Sequence, residues 1–434
     1  MHRITLLSAA LAAIALAVPS QAGAAAYVPG EVLVKYKDGT TSSVKQRVEA
    51  GSGTDVEGGV PGGSQQLSIE DGDSVKETLA ELRKDPNVAY AVPNYIARAS
   101  ALIPNDPGFR LQWNLSGPAG INMPDAWELA RARGAPGGRG AVVAVLDTGV
   151  AYERYGRFRR APDLHNFVPG YDFVGRDSHP NDENGHGTHV SGTIAQSTDN
   201  FIGAAGIAYR AKIMPIRVLN QNGGGNTVGI SRGIRLAARR RVNVINLSLE
   251  FDRSVRASQI PDIVSAIRYA RARGVLVVAA AGNQSDSLVA YPARARNVMA
   301  VAGTTIRGCQ ADYSNSGVDV DISAPGGGAD AANTNSVYDT RVCRPDERGT
   351  FIFQQTFARG PRRFGLPPGY EGTSMAAPHV SGVAALVMAS GRLGYRPSPR
   401  VVEEHLERTA RDLGAPNFDP RYGHGLLDAA AALR

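Results

Sequence analysis

Three short stretches of this sequence carry residue types that together can attack a carbonyl. The first is GTSMAAPHV, residues 372 to 380, where Ser374 opens an apolar segment at helical spacing through Ala376, Ala377, Val380, Val383 and Ala384. A serine at a helix N-terminus stands among unpaired backbone N–H groups and at the positive end of the helix dipole. Both favour the negative charge that builds on an attacked carbonyl oxygen. Gly372 lets a substrate backbone come close. Taken alone, the stretch also describes an ordinary helix start capped by a serine. The second is VVAVLDTG, residues 142 to 149, an apolar run ending in Asp147. That is the pattern of a central parallel strand opening into a loop, at the edge where active sites of open α/β sheets collect. The third is NGHGTHVSGTIA, residues 184 to 195, with His186 between two glycines ahead of another apolar helix. Serine is a weak nucleophile at its own pKa, so His186 would take its proton while Asp147 holds the imidazole and offsets its charge.

In the order Asp, His, Ser, these blocks resemble the subtilisin-like serine proteases, the subtilases, and the resemblance extends over essentially the whole chain after Pro104. One short block often matches by chance, whereas three in order with strands between them do not. The resemblance implies an endopeptidase that forms an acyl-enzyme on Ser374 with Asp147 and His186 as partners. It also implies that Asn283, at the end of VLVVAAAGN, gives its side-chain amide to the oxyanion. Ser248, Leu249 and Glu250 of NLSLE, with Gly372, would contact substrate, Ser248 lying on the strand that pairs with substrate backbone. Subtilases usually have glycine where Glu250 stands. A carboxylate there would attract Arg or Lys before the scissile bond, unless it turns to solvent or pairs with Arg253 or Arg256.

Structural calcium is the cofactor that the resemblance implies, and no organic cofactor is expected. Asp106, Asp163, Thr198, Asn200, Ile202 and Ala204 match one family site, although several residues are inserted between Asp147 and Asp163. Asp172, Asp177 and Asn181 resemble a second site, that of the thermitase-like branch of the family, with Gly175 where that branch has a carboxylate. The plainer reading of both sets is solvated loop acids. His189, three residues after His186, suggests a metal pair, but no HExxH motif or third ligand accompanies it, so packing is expected. His379 is also read as structural, and its neighbour Pro378 suits a helix only in the first turns. Cys309 and Cys343 are the only cysteines, and a secreted chain with two most simply joins them in a disulfide.

The elements that must position these groups alternate along the chain. KIMPIRVL, VNVINLSL and VLVVAAAGN read as strands, separated by helices over 227–240 and 260–272. NVMAVAGT and VDISAPG add further strands, and Ser398 caps a late helix. The expected fold is α/β: a doubly wound, mostly parallel sheet flanked by helices, over residues 101–434. Residues 27–98 read as a small α+β, ferredoxin-like domain of βαββαβ order, with Ser74 capping a helix that carries Val75, Leu79 and Leu82 on one face. It resembles the subtilase propeptide, folding helper and intramolecular inhibitor, which is placed at 27–100. Arg3 and the apolar run from Leu6 to Val18, followed by small residues, read as a signal peptide over 1–26. Secretion to the periplasm or beyond the cell follows.

With 434 residues, 43% hydrophobic and 20% charged, the chain has the balance of a soluble globular protein, and no apolar run is long enough to span a membrane. Its net charge of +7 is not gathered into a basic run with aromatic interleaving, which argues against nucleic acid. Protein or peptide substrates and the chain's own propeptide are the expected partners, and the enzyme is expected to be a monomer. Two rival readings are a peptide-binding pseudoenzyme on the same groove and a zinc peptidase built on His186 and His189.

Overall fold

The computed structural model describes residues 27–95, 102–332 and 342–434. It divides into two units, Met1–Ser100 and Ala101–Arg434. The expected signal peptide and the propeptide junction near Arg98 and Ser100 lie outside the described residues.

The N-terminal unit runs β1 (Tyr27–Tyr36), α1 (Ser42–Gly51), β2 (Thr54–Val60), β3 (Ser64–Ile69), α2 (Val75–Leu82) and β4 (Val88–Tyr95). Its antiparallel sheet has the order β2-β3-β1-β4. Alternation sends Val32, Val34 and Tyr36 inward against Val48, Val75, Leu79 and Leu82 of the two helices. Ser74 starts α2 through a capping box, its hydroxyl accepting from the Glu77 N–H while Glu77 accepts from the Ser74 N–H. The glycine-rich interval supplies β2. Its strand character comes from backbone pairing with β3 and not from any apolar alternation, so composition alone gives it no element.

The larger unit contains α3 (Trp113–Ser116), α4 (Met123–Ala132), β5 (Val142–Asp147), β6 (Tyr171–Asp172), α5 (His186–Ala195), β7 (Lys212–Arg217), α6 (Thr227–Arg239), β8 (Val244–Leu247) and α7 (Pro261–Ala272). These are followed by β9 (Leu276–Ala280), β10 (Met299–Thr304), β11 (Ile322–Pro325), α8 (Thr373–Ala389), α9 (Pro399–Arg408) and α10 (Ala429–Leu433). Seven parallel strands form one sheet in the order β11-β10-β9-β8-β5-β7-β6. Both faces are covered, so the strands are largely apolar on both sides, with polar residues mainly near their ends. Along β5, Val143 and Val145 enter the core shared with α5 and α8, while Ala144 and Leu146 enter the one shared with α6 and α7. Helix α8 is buried almost throughout, which is why its apolar residues go all the way round. Among the described residues no helix is long and apolar enough to cross a membrane. A disulfide joins Cys309 to Cys343, as their count suggests.

Candidate active site

The C-terminal edge of the sheet gathers the groups that the three motifs single out. Asp147 is the last residue of β5, Ser248 follows β8, and Asn283 lies three residues beyond β9. Two helices begin against this edge, α5 with His186 and α8 with Thr373 and Ser374.

Asp147 is fully buried. Its Oδ1 accepts from the Thr148 N–H at 2.7 Å and lies 2.7 Å from Nδ1 of His186. Its Oδ2 is buried with no hydrogen-bond partner, and such a carboxylate favours a positive imidazolium beside it. The approach of α5 depends on Gly187, where a Cβ would stand 2.1 Å from the Gly149 carbonyl oxygen. Burial opposes the charged form of His186. The charge and hydrogen bond of Asp147, joined by the charge of Asp182, outweigh it, so the pKa is raised above the ordinary histidine value. With Nδ1 held by Asp147, Nε2 is the ring atom left to exchange a proton.

Asp182 is a residue the motifs do not single out, and it builds the turn that presents His186. Its buried carboxylate accepts from the N–H groups of Asn184 (2.9 Å), Gly185 (2.9 Å) and Thr188 (3.0 Å) and from the hydroxyls of Thr148 (2.9 Å) and Thr188 (2.6 Å). The available signal is an aspartate just ahead of a glycine-led helix start, the position from which an Asx side chain gathers backbone donors.

Ser374 occupies the first turn of α8. Its hydroxyl donates to the Ser248 carbonyl at 3.3 Å, and among the described residues its backbone N–H meets no acceptor. The Asn283 Oδ1 accepts from the Thr373 N–H (2.8 Å) and hydroxyl (3.0 Å), which turns the amide nitrogen away from Thr373. Gly372 precedes α8 at φ 139°, and a Cβ there would lie 3.3 Å from Asn283 Oδ1. Leu249 is buried in the core shared with α6 and α7, so what it can offer a ligand is backbone and not side chain. Glu250 meets neither alternative expected of it: it is half-buried, and Arg253 pairs with Asp286 at 3.5 Å instead. The Glu250 Oε2 accepts from the backbone N–H of Asn283 at 2.9 Å. Burial raises the pKa of Glu250, opposed by hydrogen bonds from the backbone and side chain of Asn283.

The two other histidines of these motifs, His189 and His379, are structural in their contacts. His189 is buried and stacked on Tyr370, its Nε2 lies 2.9 Å from the Ile352 carbonyl oxygen, and burial lowers its pKa to about 3. His379 bridges Asn114 and the Met375 carbonyl, and burial lowers its pKa to about 4.

The two sets of oxygen-rich loop residues differ in kind. Asp106 and Asp163 are buried without an ion pair among the described residues, and burial raises the Asp163 carboxyl to about 6. The Asn200 amide donates to Asp163 at 2.6 Å, and the carbonyls of Thr198, Ile202 and Ala204 accept no hydrogen bond among the described residues. Both carboxylates accept hydrogen bonds from the Gln196–Asn200 segment but face no cationic side chain among the described residues, and with the unpaired carbonyls of the same loop they are donor types that suit calcium. In the second set, Asp172 Oδ2 already faces Arg217 at 3.1 Å, and its Oδ1 takes the N–H groups of Val174 and Gly175. Asp177 accepts from the His179 N–H, and Asn181 donates to Glu153. The Arg217 guanidinium, shared with Glu183, already brings positive charge to Asp172, while Asn181 Oδ1 is buried with no partner, so this set matches calcium less well than the first.

Comparison with known proteins places the chain in a family. Residues 138–425 match the model of the subtilase family, and residues 14–94 match that of the fervidolysin N-terminal prodomain. A thermophilic serine proteinase of a Bacillus species is 32% identical over 92% of this chain and 86% of its own length. An extracellular protease of Xanthomonas campestris is 32% identical over 99% of this chain and 78% of its own. A solved protease structure from Pseudoalteromonas arctica superposes with a TM-score of 0.61 at 35% identity, over 76% of this chain and 98% of that one. The chain belongs to the subtilase family of serine proteases and carries an N-terminal prodomain.

Proposed function

We propose that this subtilase is a secreted endopeptidase made as a zymogen, with a signal peptide over 1–26, an inhibitory prosegment over 27–100 that it removes itself, and the peptidase over 101–434. Ser374 Oγ attacks the scissile carbonyl and passes its proton to His186 Nε2. Asp147 stabilises the imidazolium, and the oxyanion is met by the Asn283 side-chain amide and the Ser374 N–H. Collapse breaks the C–N bond, the leaving amine takes the proton from His186, and water releases the acyl group by the same route in reverse. The 2.7 Å contact of His186 with buried Asp147, at the edge where α8 presents Ser374, is the observation that carries this reading. The zinc alternative is disfavoured because, among the described residues, neither His186 nor His189 belongs to any group of three metal-ligating side chains, and Nδ1 of His186 is held by Asp147.

Calcium is proposed at Asp106, Asp163, Asn200 and the carbonyls of Thr198, Ile202 and Ala204, where bound ion would tie together loops distant in sequence. It has no part in the chemistry.

A fluorophosphonate probe tests the reading. Labelling of the mature protein should map to Ser374 and disappear in Ser374→Ala. Labelling elsewhere, or none in wild type, would favour a peptide-binding pseudoenzyme.

A further inference from the structure

The half-buried carboxylate of Glu250 has no role in the chemistry above and no ion pair among the described residues. It spans from the segment that leaves β8 to the loop that leaves β9, ending 2.9 Å from the Asn283 nitrogen. The approach depends on Gly282: a Cβ there would lie 2.6 Å from Glu250 Oε2 and 2.3 Å from the Asn315 amide nitrogen. Asn283 is thus gripped from two sides. Thr373 holds its side-chain oxygen through two hydrogen bonds, and Glu250 holds its backbone N–H through one that is charge-assisted.

These two grips overlap at the Asn283 side chain, which also hydrogen-bonds Glu250, but only Glu250 takes the Asn283 backbone N–H. Thr373 sets the rotation of the amide, while Glu250 helps to set where the Cα that carries it stands, together with Asn315, which bonds the backbone of Gly282 and Gln284 on either side. Without the second, the amide could still face the right way yet sit at the wrong distance from a developing oxyanion. Donors of this kind act through placement at about 2.7–3.1 Å from the oxyanion, and a misplacement of about 1 Å can cost on the order of 100-fold in rate. Leu249 and Ser248 link the same segment to Ser374, whose hydroxyl donates to the Ser248 carbonyl. One short stretch therefore references both the nucleophile and the oxyanion donor.

We propose that Glu250 is a positioning residue for the oxyanion donor Asn283, acting through the acceptor bond of its carboxylate to the Asn283 backbone N–H. The proposal rests on the role given to Asn283 above.

The test compares Glu250→Met, which keeps length but removes the acceptor, with Glu250→Gln, which keeps an acceptor oxygen. Rates are taken per active site counted by covalent titration of Ser374, on one peptide substrate with a neutral residue before the scissile bond. Glu250→Met should lower kcat about 10-fold or more with KM changed less than about 3-fold, and Glu250→Gln should restore most of the loss. In Asn283→Ala the further change to Glu250→Met should cost little, because the donor it positions is gone. Equal loss in Met and Gln variants, loss in neither, or a loss confined to KM would overturn the proposal. If Glu250→Met does not mature, Glu250→Ala takes its place in the same comparison. An Asn283→Ala enzyme with undiminished kcat would overturn the oxyanion role itself. A normal effect of Asn283→Ala with no effect of Glu250→Met would overturn the positioning role alone.

Discussion

Ser248 and Ser374 hold each other twice: the Ser248 hydroxyl donates to the Ser374 carbonyl at 2.8 Å, and the Ser374 hydroxyl donates to the Ser248 carbonyl at 3.3 Å. Pro378 explains the first bond. It stands inside α8, four residues after Ser374, and has no N–H to give to the Ser374 carbonyl. A proline that is awkward for the helix therefore frees the carbonyl of the nucleophile for a partner on the sheet. The Asn246 amide orients Ser248 by donating to its hydroxyl, and Asn246 in turn accepts from Ser381 of α8. In the unliganded geometry the Ser374 hydroxyl is parked on Ser248, and such bonds often realign toward the base only when substrate is present.

Replacing Ser248 by alanine should leave the Ser374 carbonyl and the buried Asn246 amide each short of a partner. A cost of about 1–3 kcal/mol in unfolding free energy is expected. Denaturant midpoints of inhibited wild type and variant would measure it, and an unchanged midpoint would show that water or a shift of α8 satisfies both groups.

Removal of the nucleophile should be far more severe. Ser374→Ala is expected to lower kcat by roughly 10⁶, the size established for subtilisin, and about as much as loss of all three partners, because they act as a unit. The variant should also accumulate with residues 27–100 attached. Efficient self-cleavage by purified Ser374→Ala would assign the nucleophile elsewhere.

The pH profile follows from His186. Attack needs the neutral ring, and the folded protein holds the imidazolium to a higher pH than free histidine. On the acid side, kcat/KM should therefore fall through a midpoint above about 6.5. Asp147→Asn removes the charge and leaves the burial, so its midpoint should move down while the rate drops on the order of 10⁴-fold, as in other Ser-His-Asp enzymes. An acid limb unmoved by Asp147→Asn would assign it to another group.

Calcium should act on stability and not on the chemical step. A ligand that binds only the folded state adds RT ln(1 + [L]/Kd), about 2.7 kcal/mol at 100 times Kd. Chelation should lower the melting temperature and hasten autolysis, and Asp163→Asn should reduce the response to added calcium. A melting temperature indifferent to calcium over a wide concentration range would remove the site.

Much of this was written locally. The unbroken apolar strands, the glycine-flanked His186 and the apolar helix behind Ser374 are patterns of neighbouring residues. Backbone sterics and burial turn such patterns directly into elements, and their order brings Asp147, His186 and Ser374 to one sheet edge. The capping box at Ser74 is equally local. What the tertiary structure alone decided is who partners whom across that edge. Glu250 turns to Asn283, 33 residues away, and not to Arg253; Asp172 pairs with Arg217; Leu249 goes into the core. A charged or polar side chain is drawn to whichever complementary group the fold leaves within about 3 Å once water is excluded, and no spacing along the chain records that distance. The chemistry of the motifs was therefore readable in one dimension, whereas the second ring of contacts that aims it exists only after β5, β8, β9, α5 and α8 have packed.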